Sequence, residues 1–337
     1  MLTTLDKELA AGARNAIRVC LNVQPHERVT VISDRACADI AASLVAEIED
    51  VGAPYKLFIL EEVAQRPLGD LPAVIADDLE QSQVSILAVQ VQANELRSRM
   101  QLTEIVNRRK MRHAHMVNIN HQMMCEGMRA DFHRVDRLSA KVIDIVKNAR
   151  EVRATTVGGS DFVATLNPAY KWLKTSGLIS PDKWGNLPGG EVFTTPGNVE
   201  GTLVIDGVVG DYLCEKFGSL AETPLTLRVK DNRLVEAHSA DKTLESDFWK
   251  YTHTDANSDR IGEFAIGTNI ELTRVIGHIL QDEKFPGIHV AFGDPYGTFT
   301  GADWKSTTHI DVVATRFNIW VDGRQIMDDG RFLISDF

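Results

Sequence analysis

A chain of 337 residues suffices for two domains at roughly 100–200 residues each. Its 44% apolar and 25% charged residues mark a globular chain rather than a disordered one. Lys and Arg number 36 against 47 Asp and Glu, a net charge of −11, which argues against a nucleic-acid or anionic-membrane partner because both need a basic surface. The local basic stretch Arg108 to Arg112 is expected to be the solvated end of a helix. No apolar run approaches the roughly 18 residues of a membrane span. Leu2 to Leu21 mixes Asp6, Lys7, Glu8, Arg14 and Arg18 among its apolar residues, so no signal-peptide core is expected. Cys20, Cys37, Cys125 and Cys214 form no CxxC and are expected to be reduced, buried thiols of a cytoplasmic protein.

The first half alternates helix and strand. Leu5, Leu9, Ala16, Ile17, Cys20 and Leu21 share a helical face. Arg28 to Ser33 follows as a β-branched strand. Cys37 to Ile48 is an amphipathic helix stopped by Gly52-Ala53-Pro54. Strands are predicted over 56–60, 84–89 and 115–120, and helices over 71–81, 96–111 and 134–149. Such alternation implies βαβ units and a parallel sheet covered on both faces. No GxGxxG or GxxxxGK[ST] supports a nucleotide role. His113 and His115, two apart at a strand mouth, point the same way. They read either as pocket-lining residues or as ordinary polar residues at a strand start.

After about residue 150 the pattern turns to hairpins. Thr202 to Val209 around Asp206-Gly207, Leu225 to Ala237 around Asp231-Asn232, and Asn318 to Met327 around Asp322-Gly323 each read as strand, two-residue turn, strand. Thr268 and Glu271 form a capping box, which predicts a helix with Val275, Ile276, Ile279 and Leu280 on its apolar face. The domains are therefore expected at 1–150, a parallel α/β sandwich, and 151–337, an α+β domain of antiparallel hairpins. The fold class is α/β.

Carboxylates and histidines gather in five segments of this second half. They are Asn186 to Thr194 around Gly189-Gly190-Glu191, Arg260 to Gly267 around Gly262-Glu263, Asp282-Glu283, Gly287 to Gly293 around His289 with Tyr296 following, and Thr308 to Val313 with His309 and Asp311. On a strand, His309 and Asp311 project to one face about 7 Å apart and can converge on one ion. Imidazole nitrogen with carboxylate oxygen suits zinc, cobalt, manganese or iron(II). If Glu191, Glu263, Glu283, His289, His309 and Asp311 meet in space, one or two divalent ions must sit among them, because clustered carboxylates repel one another and resist desolvation. So many carboxylates suit two ions roughly 3.5–4 Å apart.

In this order the segments resemble the motifs of the thermophilic metallo-aminopeptidases of the aminopeptidase T and S type. The resemblance covers roughly the last 190 residues by motif and the α/β half more loosely. It implies metal-ligand roles for Glu191, as a bridging residue, and for Glu263, Glu283, His289, His309 and Asp311. It matches Tyr296 to a tyrosine lining the site, where a phenol can donate to the developing oxyanion and Glu263 or Glu283 can shuttle the proton. It also implies two divalent ions (zinc, cobalt or manganese), a short peptide with a free N-terminus as substrate, and a homodimer. Two departures are visible: the stretch from Tyr296 to His309 is compressed, and Glu283 to His289 is one residue longer than the resemblance suggests. A second branch of this fold resembles the dihydroxypyridine ring-cleaving dioxygenases, which hold one iron(II) with two histidines and an aspartate and carry histidine at the position of Glu263. A third reading is a metal-stabilised protein without catalysis.

Overall fold

The protein was obtained as a computed structural model, which describes residues 6–335 and 337. Leu5, at the start of the first predicted helix, lies outside the described residues. The chain divides into two compact units, one of Met1–His133 with Gly177–Gly189 and one of Arg134–Ser176 with Gly190–Phe337. This differs from a division at residue 150. Leu138, Val142 and Val146, on the Phe132–Val146 helix, enter the core of the second unit. Gly185–Asn186 instead pairs in parallel with Ala114 and His115 of the first.

The first unit is built on a five-stranded sheet in the order Tyr55–Ile59, Val29–Ser33, Val84–Val89, Arg112–Val117, Gly185–Asn186. The strands are parallel throughout. Every residue of Val29–Ser33 and Val84–Val89 is buried, which is why these strands read as nearly unbroken apolar runs. The 96–111 helix is observed at Leu96–Arg109 and closes on Lys110 in the left-handed region. The first helix departs from expectation. It is α-helical over Ala10–Arg14 and widens to a π-helix over Asn15–Cys20. There Asn15 donates from Nδ2 to the carbonyls of Met128 at 2.8 Å and Ala130 at 3.0 Å. His113 and His115 share a face as the strand period requires, and both are buried. Nε2 of His113 lies 3.2 Å from Nδ1 of His115, Ser85 Oγ lies 2.9 Å from His113 Nδ1, and Trp184 packs on both rings. Burial pushes the His113 pKa down to about 3. The pair is therefore a neutral packing element.

The second unit contains an eight-stranded antiparallel sheet and a six-stranded one, the latter ordered Val208–Val209, His309–Val313, Gly287–Gly293, Ile261–Gly267, Glu191–Thr194, Leu173–Thr175. One buried cluster takes side chains from both sheets, among them Phe162, Leu203 and Phe317 from the larger and Phe264, Val290, Phe292 and Val312 from the smaller. Asp231-Asn232 and Asp322-Gly323 make the expected tight turns, with φ of 50°, 62°, 46° and 81° in that order.

Two expectations fail. Asp206-Gly207 is not a hairpin turn. Pro196–Ile205 pairs within the larger sheet and Val208–Val209 with His309–Val313 in the smaller. The dipeptide therefore carries the chain from one sheet to the other. It is held by Thr315, whose N–H and hydroxyl both donate to the Asp206 carboxylate at 2.8 Å. The helix predicted from Thr268 is reduced to Ile279–Asp282, because tertiary partners take the groups a capping box needs. The Thr268 hydroxyl bonds Ser139 Oγ at 2.7 Å, and Glu271 pairs with Arg134. Asp282 accepts from the backbone N–H groups of Ile276, Gly277 and His278, which fixes the irregular segment before it. Among the described residues no helix is long and apolar enough to cross a membrane.

Candidate metal centre

Three adjacent strands of the six-stranded sheet present one polar face. The opposite face, Phe264, Ile266, Ile288, Val290, Phe292, Ile310 and Val312, is core. Strand periodicity then puts Glu263, His289, His309 and Asp311 on the side away from that core. On one side the register places each polar residue opposite a small one, while Val313 lies on the other side of His289 and Thr175 on the other side of Glu191. His289 pairs with Ala265, Glu263 and Asp311 each pair with Ala291, His309 pairs with Gly293, and Glu191 on the next strand pairs with Gly267. Directly opposed side chains lie close together, so an alanine or glycine partner leaves a hollow into which the acidic and imidazole groups lean. A register shift between Ile261 and Glu263 adds a bulge, a device that re-aims side chains at such sites.

Nε2 of His289 lies 3.4 Å from Glu191 Oε2, 3.5 Å from Glu263 Oε1 and 4.0 Å from Asp311 Oδ1. Nε2 of His309 lies 3.8 Å from Glu263 Oε2 and 3.6 Å from Asp311 Oδ2. His289 Nε2 is buried without a hydrogen-bond partner. A buried nitrogen ringed by carboxylates just beyond bonding range is the arrangement expected around a cation. His309 strengthens the fit. Its Nδ1 lies 2.9 Å from the Asp294 carbonyl, to which it must donate, so in the neutral ring the lone pair sits on Nε2, facing the carboxylates. Within this cluster two groups have ligand atoms mutually close enough for an ion: Glu263, His289 and Asp311, and Glu191, Glu283 and His289.

All six residues expected from the sequence are therefore brought into one cluster, five from the strands and Glu283 from the segment after Ile279–Asp282. Gly190 makes the turn before Glu191 possible. Its φ is +131°, and a Cβ there would lie 2.6 Å from that of Asn269. Asp282, the neighbour of Glu283, is turned away to hold the 276–278 backbone.

Sequence reading passed over Lys284. Next to Asp282 and Glu283 it looks like part of a solvated loop, yet its side chain is 1% exposed, with Nζ 2.6 Å from Glu191 Oε1 and 2.5 Å from Glu283 Oε1. It also passed over Thr175, whose hydroxyl donates to the same Glu191 oxygen at 2.8 Å. Both contacts arise from long-range packing and leave no local pattern.

Burial raises the pKa of Glu263 and pushes that of Glu283 up to about 8, the charges of Glu191 and Asp311 adding to the latter. Burial acts the same way on Glu191 and Asp311, but the charges of Lys284 and His289 on the first and of His309 on the second outweigh it and bring both down. Burial lowers the two imidazoles, yet the surrounding carboxylates raise them to about 9 for His289 and about 10 for His309. Both rings are thus protonated at pH 7 in the metal-free protein, and each must lose a proton to bind a cation. Metal binding at pH 7 is expected to expel up to two protons, and apparent affinity is expected to rise from pH 7 to pH 9. Calorimetry in buffers of different ionisation enthalpy reads both. An affinity flat in pH, with no proton release, would remove these nitrogens from the ligand set.

Tyr296 stands beside the cluster with its ring 4.5 Å from that of His309. It adopts φ 49°, a conformation uncommon for a bulky residue outside turns and functional sites. The residue is 42% exposed, but desolvation of its hydroxyl, with the charges of Glu263, Asp311, Glu283 and Glu191, raises its pKa well above the ordinary value. A cavity of about 240 Å³ opens next to it, lined by Asp294, Tyr296, Phe299, Asp303, Trp304 and Lys305 among others.

The family described as Thermophilic metalloprotease (M29) matches residues 79–331. The chain belongs to that family. M29 membership implies a divalent metal, and the carboxylate and imidazole groups above are the candidate ligands. Among solved structures that share the fold, wild-type AmpT from Thermus thermophilus superposes with a TM-score of 0.73 at 16% identity, covering 97% of this chain and 99% of that one. The 2,5-dihydroxypyridine dioxygenase of Pseudomonas putida superposes with a TM-score of 0.70 at 16% identity, covering 97% of each. By sequence, the M29 chain is 24% identical over 196 residues to a 2,5-dihydroxypyridine 5,6-dioxygenase of Pseudomonas putida, a match that spans 54% of each protein. The aligned stretch is thus about half the length of that curated relative.

Proposed function

We propose that this protein is a metal-dependent aminopeptidase that removes the N-terminal residue of short peptides. The observation that carries the reading is Glu263, a second carboxylate beside Asp311 that neighbours both imidazoles, 3.5 Å from His289 Nε2 and 3.8 Å from His309 Nε2. A two-histidine, one-carboxylate set with open positions suits an iron oxygenase. A fourth, anionic ligand fits a hydrolytic site better. Glu263, His289, His309 and Asp311 would hold the ion. Once bound, a divalent ion supplies a water of lowered pKa and polarises the scissile carbonyl.

The chain's own groups do the rest. Tyr296 donates a hydrogen bond from its hydroxyl to the developing oxyanion. Glu283, whose carboxyl pKa burial pushes up to about 8 in the metal-free chain, takes the proton of the attacking water and passes it to the leaving amine. Four carboxylates leave the cluster net negative, and at the neighbouring cavity Asp294 and Asp303 outnumber Lys305. A substrate's α-ammonium is attracted there, whereas an acetylated amine has neither the charge nor the donor hydrogens.

Leucyl and arginyl arylamides with a free amine are expected to be cleaved by cobalt-, manganese- or zinc-loaded protein, and their N-acetylated forms to resist. A second reading, the iron-dependent ring-cleaving dioxygenase, is favoured by the sequence match to the Pseudomonas putida enzyme and by the His289, His309, Asp311 subset. An oxygen-uptake assay with iron(II) and dihydroxypyridines belongs beside the peptidase assay. Oxygen consumption without arylamide cleavage under any metal would give the function to the dioxygenase.

A further inference from the structure

We infer that the Lys284 ammonium takes one of the two cation positions in this cluster, so that the chain holds a single divalent ion, on Glu263, His289, His309 and Asp311. The inference rests on the metal-centre reading above and concerns how many ions that centre accepts.

Lys284 is a built part of the site. Its Nζ sits between Glu191 Oε1 and Glu283 Oε1, at 2.6 and 2.5 Å, with the side chain 1% exposed. The loop that carries it is pressed against the sheet. A Cβ on Gly267 would lie 1.9 Å from the Phe285 carbonyl oxygen, and the Asn269 N–H donates to the Lys284 carbonyl at 3.0 Å. A buried lysine stays charged only when it is paired, and here two carboxylates pair with it.

The donors left over do not make a second metal site. Glu191 Oε1 already accepts from Lys284 and from Thr175, which uses both of that oxygen's lone pairs. Both candidate ligand groups include His289. The nitrogen that faces Glu191, Glu263 and Asp311 is the same atom, Nε2. An imidazole nitrogen has one lone pair and serves one ion. Removing it from the Glu191 and Glu283 group leaves two carboxylates, and these already hold the ammonium.

Charge agrees with this count. Once a bound cation has ionised all four carboxyls, Glu191, Glu263, Glu283 and Asp311 bring four negative charges. Lys284 and one divalent ion bring three positive charges, leaving the cluster at one negative. A second divalent ion beside the ammonium would turn a buried site net positive, with like charges forced together.

The test is the metal content of the full chain, saturated with cobalt or zinc, freed of excess by gel filtration and measured by elemental analysis. Wild type is expected to carry one ion per chain. Lys284→Ala, which empties the position and frees Glu191 and Glu283, is expected to carry two. Glu283→Gln is expected to keep one, because Glu283 holds the lysine rather than the ion. Two ions in wild type, one in a folded Lys284→Ala, or loss of the ion in Glu283→Gln would each overturn the inference. If Lys284→Ala fails to fold, wild type and Glu283→Gln decide. The aminopeptidase reading fails separately. Two ions with arylamide cleavage would refute the single-ion site and keep the peptidase, whereas one ion with oxygen uptake and no cleavage would do the reverse.

Discussion

Asp311→Asn is expected to reduce turnover by more than about 100-fold and to strip the protein of its ion. Changing a group that only supports a ligand costs roughly 10–100-fold in metal affinity, and a direct ligand should cost more. Asp311 faces both imidazoles, Oδ2 at 3.6 Å from His309 Nε2 and Oδ1 at 4.0 Å from His289 Nε2. Asparagine keeps the shape and one carbonyl oxygen but removes the charge that draws a cation. Its strand neighbours Ile310 and Val312 are packed in the core and unchanged, so the fold should survive. Metal analysis, arylamide turnover and near-UV circular dichroism together read the outcome. Near-wild-type turnover with full metal content would remove Asp311 from the ligand set.

Tyr296→Phe is expected to lower kcat by about 10²–10³, the usual loss for one oxyanion donor, with KM little changed. A hydrogen bond made mainly in the transition state affects turnover and not substrate binding. Phenylalanine preserves the ring that packs against His309, so metal content should stay at the wild-type level. Loss of the ion in this variant would make the phenol a ligand. An equal loss in kcat/KM carried entirely by KM would make it a binding group.

The two variants separate the roles that one cluster of side chains can play. Both belong to residues that lie close in sequence to other site residues, and both could be chosen from sequence. Lys284 could not. Nothing in Gln281-Asp282-Glu283-Lys284-Phe285 distinguishes a buried lysine from a solvated one. The distinction rests on Gly267 letting this loop lie against the sheet.

By itself the sequence determined whatever is settled over a few residues. Runs of β-branched residues between amphipathic helices specify the parallel sheet of the first unit, since unbroken apolar strands are stable only with both faces covered. Period-two alternation puts His309 and Asp311 on one face, and Asp231-Asn232 and Asp322-Gly323 turn where their tolerance of positive φ allows. The polar residues of the site are legible in the same way, each in its own short motif. Only the tertiary structure decided which of them meet. Glu263 reaches Asp311 across Ala291 because the strands pair in one register, and register is set by the whole core. Asp206-Gly207 passes between sheets, and the Thr268 capping box gives way to Ser139 and Arg134, because distant partners compete for the same groups. The physical reason is common to all three. Local propensity amounts to about a kcal/mol or less per residue, and burial or pairing of a polar side chain amounts to more, so where the two conflict the long-range contact prevails.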